Sequence, residues 1–232
     1  MVKENAIEKV AGEMTQVVTG GKAKKYVPKY SLAEELVNSI SHGVGAALAI
    51  AALVLCVVKA QAPAMIVAVV LYGVFMIILY VISCIYHALG RNTGGKKVLR
   101  VIDHANVYLM EVGTYMPICV LIGGALGWIV FGIVWVVTIV AVVLTCVNVE
   151  KYWLIGVFCN LILGWGSLLL LGPLIEKTGA GVWWLIGGGV AYSVGAALYV
   201  MGARRKWFHS IFHFFVLLGS ALQFFFIYFF CL

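Results

Sequence analysis

Five histidines near the ends of long apolar segments are the residues best suited to chemistry in this sequence: His42, His87, His104, His209 and His213. His209 and His213 are four residues apart, so on a helix their imidazoles lie one turn apart on one face and both can reach a single ion. His87 follows Ser83 at the same spacing on another segment. The pattern predicts a metal site with His87, His209 and His213 as ligands.

Polar side chains accompany the histidines in the first and third apolar segments. Glu35 and Asn38 precede His42 at helical spacing, and Asp103 directly precedes His104. An acidic side chain at membrane depth is costly unless it is paired or bound, so we expect Asp103 to act at the metal. The other four form the expected polar shell of the site: Glu35, Asn38, His42 and His104.

The three predicted ligands favour a particular metal and a particular chemistry. Three imidazoles with an open fourth position are typical of catalytic zinc, which lowers the pKa of a bound water to about 7. With zinc as the expected cofactor, Asp103 would orient this water or relay its proton, and Ser83 would hydrogen-bond the water or the ring of His87. The alternative is that intramembrane histidines only hydrogen-bond between helices, and this alternative stays open above all for His42 and His104.

Glu111 is a separate polar residue, two helical turns beyond Asp103 in the third apolar segment. Two interpretations stay open for it. It is either a buried, protonated acid bonded to a neighbouring helix, or a group that takes part in proton or substrate movement.

Composition places these residues in a membrane protein. The chain has 232 residues, of which 64% are hydrophobic and only 11% charged, and its mean hydropathy is +1.08. A water-soluble protein of this size needs a charged surface, whereas here the charge gathers near the N-terminus and in a few short loops. We therefore expect the net charge of +7 to set orientation and contact lipid headgroups, and we expect no nucleic-acid partner.

Charged and glycine-rich breaks divide the chain into seven segments of about the 20 residues that a helix needs to cross a bilayer. The predicted spans are 36–58, 63–89, 104–122, 126–147, 152–171, 182–201 and 209–231. Ser31 and Glu34 form a capping-box pattern ahead of the first span. Pro63 suits the first turn of the second, and Pro117 is expected to kink the third. The predicted fold class is all-α, with seven transmembrane helices.

Basic residues predict how these helices cross the membrane. If the seven spans alternate in direction, only Lys59 and Lys177 of the 16 lysines and arginines fall on the side opposite the N-terminus. The positive-inside rule then predicts a cytoplasmic N-terminus, an outside C-terminus and all histidines near the cytoplasmic face. Residues 1–30 form a cytoplasmic segment, either an interfacial helix or a disordered tail. Residues 31–232 form the transmembrane domain of a multi-pass protein of the cell membrane.

Three motifs together resemble the hemolysin III family, whose relatives are the progestin and adipoQ receptors, in a superfamily that includes alkaline ceramidases. The motifs are Glu35-x2-Asn38-x3-His42, Ser83-x3-His87 and His209-x3-His213. The resemblance covers nearly all of residues 31–232, and it implies seven spans with zinc held by His87, His209 and His213. It also implies a metal water near Ser83 and Asp103, and it suggests hydrolysis of a lipid amide such as a ceramide.

Three functions stay open at this point. The expected one is a zinc-dependent hydrolase that acts on an amide or other lipid entering from the bilayer. The alternatives are a pore-forming or membrane-lytic protein and a receptor or regulator, both with structural zinc. A retinal protein is excluded because residues 209–232 contain no lysine, and the near isolation of Glu111 disfavours a proton-coupled transporter. The expected partners are membrane lipids and one metal ion, and no feature predicts the oligomeric state.

Overall fold

The structure is a computed structural model that describes residues 30–90 and 94–232. Helices make up almost all of these two ranges. In chain order they are α1 (Leu32–Lys59), α2 (Pro63–Ala88), α3 (Gly94–Ile122), α4 (Gly124–Gly166), a 3₁₀ turn (Ser167–Leu170), α5 (Leu171–Thr178), a second 3₁₀ turn (Gly179–Gly181), α6 (Val182–Gly202), α7 (Phe208–Phe226) and a π-helical end (Ile227–Cys231). The segment predicted for residues 1–30 lies outside the described residues, apart from Tyr30.

Within residues 30–90 and 94–232, five helical runs are long and apolar enough to cross a membrane: α1, α2, α3, Gly124–Gly202 and Phe208–Cys231. They confirm the predicted class, an all-α membrane protein. The run Gly124–Gly202 has 79 residues, about four times what one crossing needs. Asn148 departs from helical geometry inside it, with φ −164° and ψ 91°, and this break lies between the predicted fourth and fifth spans. The count of seven crossings and their orientation stay predictions.

The starts of α1 and α2 follow the predicted local chemistry. Ser31 is the N-cap of α1, where its hydroxyl accepts a hydrogen bond from the Glu34 N–H at 3.3 Å. The Glu34 carboxylate accepts in return from the Ser31 N–H at 2.8 Å. Pro63 occupies the first turn of α2, where the N–H that proline lacks would have no helical acceptor. The capping box and the proline start are both confirmed.

The third helix is longer than the predicted span. It begins at Gly94 rather than at His104, and it stays α-helical through Pro117 to Ile122. The added turns carry Lys96 and Arg100, whose charges indicate a loop when only the sequence is considered. Both side chains are buried and paired instead, Lys96 with a carboxylate of α1 and Arg100 with a carboxylate of α4.

Close packing of α1 against α2 and α7 brings together the helices that carry most of the histidines. The core between them contains fully buried aromatic and aliphatic side chains, among them Tyr72, Tyr80 and Phe226. At Gly45 of α1 the helices are so close that a Cβ atom would lie 2.7 Å from Leu217 Cδ2 and 2.8 Å from Tyr80 Cδ1. A small residue is required there, as at many contacts between membrane helices.

Gly45→Val is expected to destabilise the bundle. The added side chain would overlap α2 and α7, and overpacking of this kind costs about 1–3 kcal/mol of unfolding free energy. The measurement is thermal unfolding of the detergent-purified protein, followed by tryptophan fluorescence. Gly132→Val is the control, because among the described residues no atom outside the local helix backbone lies within 4 Å of a Cβ built at Gly132. Equal melting temperatures for the two variants would contradict the proposed helix contact.

Candidate metal centre

Three buried imidazoles from two helices form a group that could hold a metal ion. His87 lies in the last turn of α2, and His209 and His213 lie in the first two turns of α7. One ring nitrogen from each lies within 4.8 Å of the others. The Nε2 atoms of His209 and His213 are 3.2 Å apart, as their four-residue spacing on one helix face allows. The structure thus brings together the three residues that the sequence predicts as ligands.

Glu34 holds the first turn of α7 in place. Trp207, the residue before this helix, has a left-handed backbone conformation with φ 68°. Its N–H donates to Glu34 Oε1 at 2.7 Å. Because the same carboxylate belongs to the capping box with Ser31, one side chain joins the start of α1 to the start of α7 next to His209.

Glu35 orients the His87 ring. Its Oε2 lies 2.7 Å from His87 Nδ1, which donates to the carboxylate, and its Oε1 accepts from Lys96 Nζ at 2.7 Å. Asn38 Nδ2 lies 3.4 Å from the same Nδ1, and we assign that nitrogen to the shorter, charge-assisted bond. His87 Nε2 is buried and has no hydrogen-bond partner in the described part of the chain.

This donor set fits a metal ion. A histidine ligand commonly binds the metal through one ring nitrogen while the other donates to a carboxylate, which holds the ring in place and raises its basicity. His87 has this arrangement, because Glu35 takes Nδ1 and leaves the buried Nε2 available. His87, His209 and His213 would hold the ion.

Glu35→Gln is expected to weaken metal binding about 10–100-fold, the usual cost of losing an outer partner of a histidine ligand. The amide keeps the shape but loses the charge that orients the His87 ring. The measurement is competition for zinc with a chromogenic chelator. Glu150→Gln is the matched control, since Glu150 pairs with Arg100 and with no histidine. Equal affinities for both variants would show that Glu35 does not support the ligand.

The two remaining histidines, His42 and His104, differ in whether they lie beside the three predicted ligands. His42 stacks on the His213 ring with centroids 3.8 Å apart, so it lies beside the group. His104 bonds the Arg100 carbonyl through Nδ1 at 2.8 Å and the Tyr199 hydroxyl through Nε2 at 3.0 Å. Both of its ring nitrogens are thus engaged away from the group, as the hydrogen-bonding alternative for this residue predicts.

Three residues near the histidines have no signal in the sequence that could have found them. The Tyr30 ring stacks on His209 at 4.6 Å between centroids, and the Tyr199 ring lies 5.7 Å from the same imidazole. Lys96 holds Glu35 and also donates to the Leu89 carbonyl at 3.0 Å. All three belong to other segments of the chain, so their proximity depends on helix packing and not on spacing.

A cavity of about 180 Å³ extends from the histidines into the bundle. His209 and His213 line it together with both residues of the predicted catalytic pair, Ser83 and Asp103. Ser83 is buried, and the Asp103 side chain is 15% exposed. Apolar and aromatic side chains form much of the remaining wall, so the cavity combines polar groups with a wall suited to hydrocarbon.

Comparison with known proteins gives consistent results over nearly the whole chain. The family model described as Haemolysin-III related matches residues 30–224. Hemolysin-3 of Bacillus cereus is 35% identical over 197 residues, which cover 83% of this chain and 89% of that protein. The Hemolysin-3 homolog of Bacillus subtilis (strain 168) is 35% identical over 209 residues, covering 87% and 96%. The chain therefore belongs to the haemolysin-III-related family.

Proposed function

We propose that this protein is a zinc-dependent hydrolase of the cell membrane that acts on a lipid amide or a related membrane lipid. The observation that carries the proposal is the cavity that His209 and His213 share with Asp103 and Ser83. A purely structural ion needs four closed ligands and no access. Here two of the three imidazoles, those of His209 and His213, line a space that also has the Asp103 carboxylate and the Ser83 hydroxyl on its wall.

His87, His209 and His213 would hold the zinc, which would supply a Lewis acid for a carbonyl and a water activated near neutral pH. The side chains of this protein supply the remaining parts of an amide hydrolysis. Asp103 orients the water, accepts its proton and passes that proton to the leaving amine. Ser83 donates a hydrogen bond to the reacting oxygen, and Glu35 holds His87 during the reaction. Water adds to the carbonyl carbon and the C–N bond breaks, giving a fatty acid and an amine.

The substrate class follows from the wall of the cavity. Apolar side chains from five helices line it, among them Leu79, Val107, Leu161, Leu185 and Val216. Such a wall accepts an acyl chain and excludes water. A lipid that enters from the bilayer would lay its chain along this wall and bring its carbonyl to the histidines.

The proposal includes seven crossings with a cytoplasmic N-terminus, in which the break at Asn148 separates spans four and five. Fusions to alkaline phosphatase, which folds only outside the cytoplasm, test this arrangement. A fusion after Leu232 should be active and one after Gly90 inactive. The reverse pattern, or equal activity at both positions, would contradict the orientation.

The hydrolase is tested on wild-type protein in detergent with a panel of N-acyl sphingoid bases and N-acyl ethanolamines. We expect about one zinc per chain by mass spectrometry. Fatty-acid release should disappear after chelation and return with zinc but not with calcium. Full zinc occupancy without turnover of any lipid would count against the enzyme and in favour of a structural metal.

Membrane lysis is a second candidate, favoured by the name Hemolysin-3 that the Bacillus cereus relative carries. Dye release from lipid vesicles separates it from hydrolysis. A lytic protein without enzymatic activity should release dye equally well with and without bound metal. Release that needs both metal and a hydrolysable N-acyl lipid would instead be a consequence of the hydrolase.

A further inference from the structure

The cavity has a second polar region, around Glu111. This residue lies on α3 about 12 Å along the helix axis from Asp103, given the rise of about 1.5 Å per residue. Glu111 lines the cavity, yet its Oε2 is buried and has no hydrogen-bond partner among the residues that the structure describes. One interpretation of the sequence is that Glu111 is hydrogen-bonded to a neighbouring helix, and Oε2 makes no such bond to any described residue. Burying a carboxyl group without a hydrogen-bond partner costs free energy.

Asn160 of α4 presents a second unsatisfied oxygen to the same cavity. Its Oδ1 is buried without a partner in the described ranges. Asn160 and Gly164 lie one turn apart on one face of α4, and a Cβ at Gly164 would lie 4.0 Å from Glu111 Oε1. The Tyr115 hydroxyl holds the two helices together by donating to the Leu163 carbonyl at 2.6 Å. The carboxyl group and the amide thus lie on opposed helices beside one space.

The protein groups nearby do not satisfy these oxygens. The hydroxyl of Thr114 donates to Gln223 at 3.3 Å, and the hydroxyl of Tyr192 bonds Ser220 at 2.8 Å, so both are already engaged. Among the described residues that line the cavity, none is lysine or arginine. Both unsatisfied atoms are acceptors, so a complementary ligand must bring donors. An ammonium group brings three N–H donors and compensates the charge of a carboxylate in an apolar environment.

We propose that Glu111 and Asn160 form a second ligand subsite, which binds the amino group of a single-chain aliphatic amine whose hydrocarbon lies along the apolar wall of the cavity. The subsite is independent of the histidines. It binds the amine whether or not the metal centre hydrolyses an amide, so the two proposals fail separately.

The probe is radiolabelled dodecylamine, bound at equilibrium to the purified protein in lipid nanodiscs. Wild-type protein should bind it saturably at one site per chain. Glu111→Gln should weaken binding about tenfold or more, since it removes a charge-assisted bond, and Asn160→Leu should weaken it several-fold. Glu176→Gln is the matched control, because this carboxylate is exposed outside the cavity, and it should bind like wild type. Dodecan-1-ol and dodecanoate should compete poorly.

Three outcomes would overturn the subsite: no saturable binding to wild type, wild-type affinity in Glu111→Gln, or competition by dodecan-1-ol as strong as by the amine itself. Thermal unfolding followed by tryptophan fluorescence reports the folding of each variant without reference to the metal. If Glu111→Gln does not fold, Asn160→Leu decides, and unchanged affinity there overturns the proposal. His213→Ala should keep the amine affinity, and this result distinguishes a failed hydrolase from a failed subsite.

Discussion

His213→Ala is expected to abolish metal binding and, with it, lipid amide hydrolysis. His213 is buried with Nε2 3.2 Å from that of His209, and its loss leaves only two of the three predicted ligands. Removing an outer partner of a ligand costs about 10–100-fold in affinity, so removing a ligand itself should exceed about 100-fold. The measurement is zinc content per chain after gel filtration, together with a chelator-competition isotherm.

His104→Ala is the matched control for this experiment. It also removes a histidine at the same end of the bundle, but one whose nitrogens bond Arg100 and Tyr199. It should keep wild-type zinc affinity. If His213→Ala retains one zinc per chain at wild-type affinity, or if His104→Ala loses the metal equally, the assignment of the three ligands is wrong.

Asp103→Asn is expected to separate metal binding from turnover. The amide keeps the size of the side chain and lies outside the group of three imidazoles, so zinc content should stay at the wild-type level. It cannot accept the proton of an attacking water, and loss of a general acid-base group costs about 100- to 10,000-fold in kcat. The measurement is the kcat and KM of fatty-acid release, and we expect the loss in kcat.

Thr114→Val serves as the control for Asp103→Asn. Thr114 lines the same cavity, but its hydroxyl donates to Gln223 and to the Met110 carbonyl. The kcat of the Thr114→Val variant should stay within a few-fold of that of the wild type. Wild-type turnover in Asp103→Asn would show that the carboxylate takes no part in the reaction. A loss of zinc in this variant would show that Asp103 supports the metal site itself.

Sequence alone determined the features that depend on local patterns. The hydropathy of the chain made it an all-α membrane protein, because a bilayer accepts backbone polar groups only when helices or closed barrels satisfy them. The Ser31 capping box and the Pro63 helix start follow from the chemistry of single turns. The spacing of His209 and His213 put two imidazoles on one face, since the period of the helix does not depend on its neighbours.

Tertiary structure alone decided which distant residues meet at the histidines. His42 and His104 have similar sequence signals, yet one stacks on His213 and the other bonds Arg100 and Tyr199. The charge of Lys96 indicates a loop when only the sequence is considered, whereas in the structure Lys96 is the buried partner of Glu35. These outcomes depend on how each helix is rotated and how closely it approaches the next.

The rotation and approach of each helix are set by contacts such as the one at Gly45, where the neighbouring side chains come from distant parts of the sequence. Helix packing also decides which residues meet in the part of the cavity around Glu111. The sequence marks Glu111 as unusual, but Asn160 has no distinguishing pattern. Only the packing of α3 against α4 brings their unsatisfied oxygens to one space, because the pair belongs to two helices whose mutual register no local pattern encodes.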